Sequence, residues 1–569
     1  MLELMWRRLL AGAMVCVCAC GSWAEAVSPR QLLEVAEIGS PVISPDGRSV
    51  AFRVERASVE RNTWGSVWYV QGLDEAAPRR VAEGGVPLRD SAGVSLPVAA
   101  LWSPDGRWIY YRALLDGRVD VWRAAADGSQ AGRVTRDSAD VRDFSLSGDG
   151  GSIRYSVGAT REEVLAAEQE DYERGTHIDG TVPIGQGLFR SGNVEGRLAT
   201  QRFGSIWFSR MPLLGETPDR WYEIDLATGA KRALAAAEVK GPPPTALGLP
   251  EMEGDPWQHA RNAGGQWVAI LTRVGDGTGQ LERPDVLLSV LPAGDAAGAV
   301  HCRAELCTAR AISGIQWRPM HDEVVFTVTD PAEGLAQSMY RWNVRDGGVF
   351  EVVRAQGLLG GGRDPSSRCG ISPAHLVCVA AEADRLPRLE RIDLENGTRH
   401  VLFEPNEALA KDLALEAPAR LLRWADAQGR RFTGQFYAAR HVGGTPPPLF
   451  VTYYSCPGFV RGGVGDEWPL ASLAQAGISA LCINRLPGYT MDAVERHGEG
   501  MAAVESAVDM LAAEGEIDQA RVGMGGLSFG GAVTLWTVTG SDVLAAASVA
   551  NPVVSPLYYL IGSMNVNAD

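Results

Sequence analysis

Residues 521–531 read Arg-Val-Gly-Met-Gly-Gly-Leu-Ser-Phe-Gly-Gly, and this stretch decides the fold of the C-terminal part of the chain. A short strand runs into a serine with glycine two positions before and two positions after it, and residues 532–536 continue as an apolar helix. A strand that turns sharply into a helix needs small residues at those positions, because the two backbones approach closely. The stretch therefore predicts a nucleophile elbow, with the Ser528 hydroxyl exposed and the backbone N–H of Phe529 directed at a developing oxyanion.

The residues before the elbow predict an α/β sheet. Residues 449–453 and 478–484 are apolar runs of the kind that form buried parallel strands, and residues 431–438 alternate as a further strand. Asp492 and Glu495 are placed to cap a helix whose apolar residues keep a helical period. Strands that alternate with helices in this way are typical of an α/β domain.

Upstream of this region, from about residue 40 to residue 405, a loose repeat predicts a β-propeller. Polar turns that feed alternating strands begin at residues 44, 103, 147, 262, 318 and 372. The intervals between them are 44 to 59 residues, except for one of 115 residues. This is the period of a four-stranded blade if the long interval holds two units. Thr160 and Glu163 interrupt the pattern with the capping box of a predicted helix, whose acidic residues are typical of a solvated face.

Composition places the chain among soluble globular proteins. Of its 569 residues, 46% are hydrophobic and 21% are charged. The formal net charge is -16, and the sequence has no cluster of basic residues. Because binding a polyanion needs a basic face, we expect no nucleic-acid partner.

The N-terminus predicts export. Two arginines precede an apolar stretch, residues 9–19, which is too short to span a bilayer comfortably. Residues 24–26 read Ala-Glu-Ala, a small-x-small cleavage site. We expect cleavage after Ala26, which makes residues 1–26 the signal peptide of a periplasmic protein without a stable membrane span. A lipoprotein with its acceptor at Cys20 is the minor alternative.

Six cysteines remain in the mature chain, and an even number in an exported protein suggests disulfides. They are Cys302, Cys307, Cys369, Cys378, Cys456 and Cys482. The first two of them are close in sequence, the next two are as well, and both pairs flank strand-like stretches. Each of these pairs is placed to join neighbouring strands or close a turn, with free buried cysteines as the alternative.

An exported propeller followed by Ile-Asp-Gln-Ala-Arg-Val-Gly at residues 517–523 and by this elbow resembles the prolyl oligopeptidase family of serine peptidases. In that family a propeller caps an α/β-hydrolase domain. The resemblance covers nearly the whole mature chain. It implies a β-propeller domain at residues 27–405 and an α/β-hydrolase domain at residues 406–569.

The same resemblance implies an oxyanion-hole tyrosine after the third hydrolase strand. Tyr454 stands at that place, with Tyr453 as the alternative register. Residues 453–469 resemble more narrowly the lasso peptide isopeptidases, which open the macrolactam of a threaded peptide.

The mechanism that the resemblance implies is two-step acyl transfer on a peptide substrate, here a lasso peptide. Ser528 attacks the scissile carbonyl, Tyr454 and the Phe529 amide hold the oxyanion, a histidine shuttles the proton, and a carboxylate orients that histidine. No metal or organic cofactor is needed. Two alternatives remain. One is an exported dipeptidyl or oligopeptidase that acts on linear peptides, and the other is a non-catalytic peptide-binding propeller protein with a hydrolase remnant.

The order of residues conflicts with a complete triad. In α/β hydrolases the acid and the histidine follow the serine. Here all eight histidines precede Ser528, and the residues after it include Asp542 and Asp569 as the only acidic ones. Asp542 comes too soon after the elbow helix to be the triad acid, and we interpret His497, near the start of a predicted surface helix, as solvated. We therefore expect a hydrolase domain that is truncated at its C-terminus, an inactive chain, and an unpaired strand edge near residues 545–550.

Overall fold

The computed structural model describes residues 26–75, 77–89, 95–174, 190–194, 197–203, 210–239, 256–274, 286–292, 298–364, 367–413, 415, 417–439, 444–463, 467–488, 492–550 and 552. The predicted signal peptide lies outside these residues, except for Ala26. No helix within them is long and apolar enough to cross a bilayer.

The described strands from residue 37 to residue 403 form six antiparallel blades. The first blade comprises β1 (Glu37–Ile43), β2 (Ser49–Ser58), β3 (Thr63–Gly72) and β4 (Arg79–Gly85). The second blade comprises β5 (Leu101–Trp102), β6 (Trp108–Leu115), β7 (Arg118–Ala125) and β8 (Ala131–Arg133). The third comprises β9 (Ala139–Leu146) and β10 (Ser152–Thr160), an insertion with α2 (Arg161–Arg174), β11 (Arg190–Val194), β12 (Arg197–Phe203) and β13 (Arg210–Pro212), and then β14 (Arg220–Asp225) and β15 (Lys231–Ala233).

The last three blades follow the same plan. The fourth, after α3 (Ala236–Val239), comprises β16 (Pro256–Arg261), β17 (Trp267–Arg273), β18 (Val286–Pro292) and an outer strand split into β19 (Val300–His301) and β20 (Thr308–Arg310). The fifth comprises β21 (Ile312–Trp317), β22 (Glu323–Asp330), β23 (Ala336–Asn343) and β24 (Val349–Val353). The sixth has an inner strand split into β25 (Leu358–Gly360) and β26 (Gly370–Ile371), followed by β27 (His375–Glu382), β28 (Arg385–Asp393) and β29 (Arg399–Phe403).

Within the described residues, the interval from residue 147 to residue 262 shows one blade with an insertion rather than two blades. The strands β10 and β14 are neighbours in the third blade, and the residues between them form α2 and the separate sheet β11–β13. The interval is long because one blade carries an insertion. The capping box predicted for α2 is confirmed, since the Thr160 backbone N–H donates to the Glu163 carboxylate at 2.7 Å and the Glu163 N–H donates to the Thr160 hydroxyl at 3.1 Å.

Three of the six predicted blade turns share one hydrogen-bond pattern. In the second blade the Ser103 hydroxyl donates to Asp105 at 2.5 Å and accepts from the Trp108 N–H at 2.9 Å, and Gly106 has φ of 68°. The turns at residues 44–49 and 147–152 repeat these bonds. The hydroxyl hydrogen bond, followed by the Arg107 N–H, lowers the pKa of Asp105.

Both cysteine pairs suggested within the propeller form disulfides. The Cys302–Cys307 bond closes the short loop, with a 3-10 turn (Glu305–Cys307), that splits the outer strand of the fourth blade. The Cys369–Cys378 bond joins the inner strand of the sixth blade to β27, with 4.6 Å between the Cα atoms.

The remaining strands form one mixed six-stranded sheet. It contains β30 (Arg420–Ala425), β31 (Arg431–Tyr437), β32 (Leu449–Tyr454), β33 (Ser479–Asn484), β34 (Val522–Leu527) and β35 (Ala546–Ala550), in the spatial order β30-β31-β33-β32-β34-β35. The last four strands by sequence are parallel. The helices are α5 (Leu470–Gln475), α6 (Ala493–Ala513) and α7 (Phe529–Gly540), after α4 (Glu407–Asp412) in the connection from the propeller. Among the described strands, β35 is the mostly exposed edge of this sheet.

The sheet and the propeller pack into one body. The N-terminal helix α1 (Pro29–Leu33) buries Leu32 in a cluster that also contains Tyr437 of β31. The Tyr437 hydroxyl donates to the Ala383 carbonyl of the sixth blade at 2.9 Å, and the Thr433 hydroxyl donates at 3.2 Å to the carbonyl of Pro331, which opens a 3-10 turn (Pro331–Glu333) of the fifth blade. Through these contacts the propeller packs against the sheet that carries the candidate active site.

Candidate active site

The elbow has the predicted strand, turn and helix. Strand β34 ends at Leu527, Ser528 follows with φ of 52° and ψ of -111°, and helix α7 begins at Phe529. A serine with positive φ is strained, because its Cβ meets the backbone in this region of conformational space. Such strain is retained where the surrounding structure fixes it, and it is common at reactive sites.

The glycines of the elbow are there because side chains would not fit. A Cβ on Gly526 would lie 2.1 Å from the carbonyl carbon of Gly530. A Cβ on Gly525 would lie 2.6 Å from the ring of Trp468, and a Cβ on Gly531 would lie 3.0 Å from the carbonyl oxygen of Ala550. The sequence pattern around Ser528 therefore follows from the close approach of β34 and α7.

The tip of the elbow provides a nucleophile and a hydrogen-bond donor. Ser528 is the N-cap residue of α7, but its side chain makes no capping hydrogen bond within the described part of the chain. Phe529 is the first residue of α7, and the first N–H groups of a helix have no intrahelical acceptor. They also lie at the positive end of the helix dipole, which favours a developing negative charge.

The two candidate tyrosines face different environments. Tyr453 is buried in the core of the sheet, and burial raises the pKa of its phenol. Tyr454, the last residue of β32, is 42% exposed, and its ring lies 5.6 Å from the Phe529 ring. Because β32 and β34 are parallel neighbours, Tyr454 and Ser528 lie at the same carboxyl edge of the sheet. Both rings lie near Phe529 of the elbow, since the Tyr453 ring centroid is 6.3 Å from that of Phe529, but only Tyr454 is exposed there.

The expectation that His497 is solvated is wrong. His497 lies on α6 and is 5% exposed, with its ring centroid 5.7 Å from that of Phe529 and 5.6 Å from that of Trp536. Burial, followed by the charge of Arg496, lowers the pKa of its imidazole. The helical stripe of His497, Gly500 and Val504 packs against α7, and this period was readable in the sequence.

The carboxylates after the serine do not complete the site in the described residues. Asp542 is an exposed residue in the turn between α7 and β35. Asp569 lies outside the described residues. Asp542 therefore does not give Ser528 a triad acid at the end of a later strand.

A third disulfide begins two residues after Tyr454 in the chain. Its pairing was not predicted from the sequence. Cys456 and Cys482 are joined, with 6.0 Å between their Cα atoms. The signal available in the sequence was that these two cysteines remain once the two short-range pairs are formed.

Known proteins share the fold of this chain, and a family profile matches the segment that contains the elbow. A sequence profile of the prolyl oligopeptidase family matches residues 498–565. The lasso peptide isopeptidase AtxE2 of Asticcacaulis excentricus is 25% identical over 561 residues, which cover 92% of this chain and 74% of that protein.

Solved structures agree with this likeness. A serine-to-alanine variant of AtxE2 with astexin3-dC4 bound superposes with a TM-score of 0.71 at 24% identity, over 92% of this chain and 78% of that one. The acylaminoacyl peptidase of Pyrococcus horikoshii has a TM-score of 0.60 at 14% identity, over 93% of this chain and 79% of that one. The predicted fold, a β-propeller followed by an α/β-hydrolase domain, is confirmed. The chain is thus similar to the prolyl oligopeptidase family at residues 498–565, and over nearly its whole length it shares the fold of AtxE2.

Proposed function

We propose that this protein hydrolyses the isopeptide bond of a lasso peptide through an acyl-enzyme on Ser528. The observation that carries the proposal is the geometry of the elbow. Ser528 has a strained backbone and makes no capping hydrogen bond within the described residues, and the exposed Tyr454 lies at the same carboxyl edge of the sheet. The likeness to AtxE2 over 92% of the chain supports the choice of substrate.

The chemistry follows from the elbow. The Ser528 hydroxyl attacks the side-chain carbonyl of the Asp or Glu that closes the macrolactam, and the C–N bond then breaks to release the amine. The Phe529 N–H and the Tyr454 hydroxyl donate to the oxyanion of each tetrahedral intermediate. Water then hydrolyses the ester and gives a linear peptide.

The histidine that would act as general base is not assigned, since all eight histidines of residues 1–569 precede Ser528. His497 precedes the serine and is buried between Phe529 and Trp536. We infer that a polypeptide of residues 27–569 alone turns over peptides poorly, because a serine without a base is a weak nucleophile. Sequencing past codon 569 tests this inference directly. A downstream Asp and His in hydrolase context would favour a hydrolase whose triad follows Ser528, and their absence would favour a peptide-binding protein.

The substrate is tested by mass spectrometry. The product of the complete reading frame is incubated with a lasso peptide and, separately, with linear proline-containing peptides of matched length. Linearisation of the lasso peptide, seen as the gain of one water, is the expected result. Cleavage of only the linear peptides would favour an oligopeptidase, and tight binding without cleavage would favour a peptide-binding protein. Turnover by residues 27–569 equal to that of the longer product would show that His497 or another upstream histidine acts as the base.

A further inference from the structure

We propose that the Cys456–Cys482 disulfide and Asn484 hold Tyr454 in the position from which its hydroxyl reaches the oxyanion. This inference rests on the proposed role of Ser528 and Tyr454, and it assigns positioning residues to that site.

The backbone of Tyr454 is fixed on both sides of the residue. Its carbonyl accepts from the Arg485 N–H at 3.0 Å. Two residues later the Cys456 N–H donates to the Asn484 side-chain oxygen at 2.8 Å, and the Cys456 sulfur is bonded to Cys482 in the middle of β33. Cys456 is fully buried, so the loop leaves the sheet from a fixed point.

On the side that faces β34 and the elbow, the strand pairing of the sheet does not extend to Tyr454. The pairing of β32 with β34 ends at Val451, whereas its pairing with β33 continues to Tyr454 opposite Asn484. The side chain of Tyr454 is 42% exposed and contacts the Phe529 ring. An exposed side chain at a strand end has many rotamers and backbone positions, and a crosslink two residues away reduces them.

The same anchor is connected to the propeller. The Asn484 amide donates to the Thr433 hydroxyl at 3.2 Å, and that hydroxyl donates to the Pro331 carbonyl of the fifth blade at 3.2 Å. Asn484 and Thr433 are both buried. A buried hydrogen-bonded chain therefore runs from a propeller loop to the amide of Cys456, two residues after the tyrosine, and such chains hold their members in one arrangement.

The propeller offers a matched control. The Cys302–Cys307 disulfide is also buried, but it closes a loop in the fourth blade. Removing either disulfide deletes one crosslink. Only the bond between Cys456 and Cys482 lies in the segment that carries Tyr454.

The experiment compares the Cys456→Ala/Cys482→Ala variant with the Cys302→Ala/Cys307→Ala variant in the product of the complete reading frame. Amide hydrogen exchange is measured on peptides that cover residues 450–458, and the rate of fluorophosphonate labelling is measured with and without Tyr454→Phe. In the first variant we expect faster exchange at residues 454–456 and labelling slowed about tenfold. Tyr454→Phe should then slow labelling only about tenfold further instead of about 10²-fold, because two changes that act through one group are not additive. In the control variant, amide exchange and the labelling rate both stay at the values of the unmodified protein, and Tyr454→Phe keeps its full effect on labelling.

The possible failures are distinguishable. Unchanged exchange at residues 454–456 overturns the positioning role, whatever the labelling shows. Faster exchange with unchanged labelling and a full Tyr454→Phe effect also overturns it, while the proposed function stands. Absence of labelling on Ser528 in the unmodified protein instead rejects the proposed function. If the first variant does not fold, Asn484→Leu removes the acceptor of the Cys456 N–H and should shift exchange and labelling in the same direction.

Discussion

The blade turn at residues 103–108 and the elbow at residues 527–530 both redirect the chain through a residue with positive φ. In the blade turn that residue is Gly106, and the neighbouring serine hydroxyl is occupied by Asp105 and the Trp108 N–H. At the elbow the residue is Ser528 itself, and its hydroxyl makes no capping bond within the described residues. The first turn uses its serine for stability, whereas the second accepts backbone strain at the serine that we propose as the nucleophile.

The glycines of the two turns show the same difference. Gly106 has open space around the position of a Cβ, so it is needed only for its φ. Gly526 is needed because β34 and α7 touch at that point. Substituting each glycine by alanine therefore distinguishes two contributions to the free energy of unfolding: a conformational cost at Gly106 and a steric cost at Gly526.

The largest effect is expected for Gly526→Ala. Its Cβ would overlap the carbonyl of Gly530, which belongs to the backbone and cannot move aside. We expect a loss of about 3 kcal/mol or more in the free energy of unfolding, together with loss of labelling at Ser528. Gly106→Ala should cost only about 1 kcal/mol and leave labelling intact. Urea unfolding followed by tryptophan fluorescence measures both, and equal costs would contradict the steric explanation.

An intermediate effect is expected for Tyr454→Phe. Removing one oxyanion donor should slow labelling and turnover about 10²-fold. Tyr453→Phe removes a hydroxyl that is buried in the core of the sheet, so it should reduce stability by about 1 kcal/mol and leave the labelling rate nearly unchanged. Unchanged kinetics in Tyr454→Phe would transfer the role to Tyr453 or to backbone amides.

The smallest effect is expected from the pH dependence of the blade turns. The pKa of Asp105 is lowered by the Ser103 hydroxyl and the Arg107 N–H, so the folded state favours the ionised carboxylate. Its stabilisation is present at neutral pH and is lost as the pH falls below the ordinary value of 3.8 and through the lower folded pKa. Asp46 and Asp149 behave alike. Ser103→Ala should therefore make the urea midpoint of the propeller less sensitive to acid. An unchanged acid sensitivity in this variant would mean that other carboxylates determine it.

Local patterns predicted the elements of the fold well, because each depends on neighbouring residues. The elbow at Ser528, the cap at Asp492 and the blade turns all formed as their sequences indicated. The insertion between β10 and β14 was misread, since a count of intervals cannot tell one interrupted blade from two.

Features that depend on distant parts of the chain were harder to predict. The burial of His497 depends on α7 packing over α6, although the helical period of its neighbours offered a signal. The Cys456–Cys482 pair joins the loop after one strand to the neighbouring parallel strand at a sequence separation of 26, so only the sheet order brings the two cysteines together. The position of Tyr454 relative to the elbow likewise follows from the adjacency of β32 and β34.

The most direct test of the account is to label the product of the complete reading frame with a fluorophosphonate and to map the modified residue by mass spectrometry. We expect the label on Ser528, no label in Ser528→Ala, and unchanged labelling in Ser103→Ala, where the serine belongs to a blade turn. A label on a different serine, or undiminished labelling of Ser528→Ala, would contradict the assignment of the elbow as the reactive site.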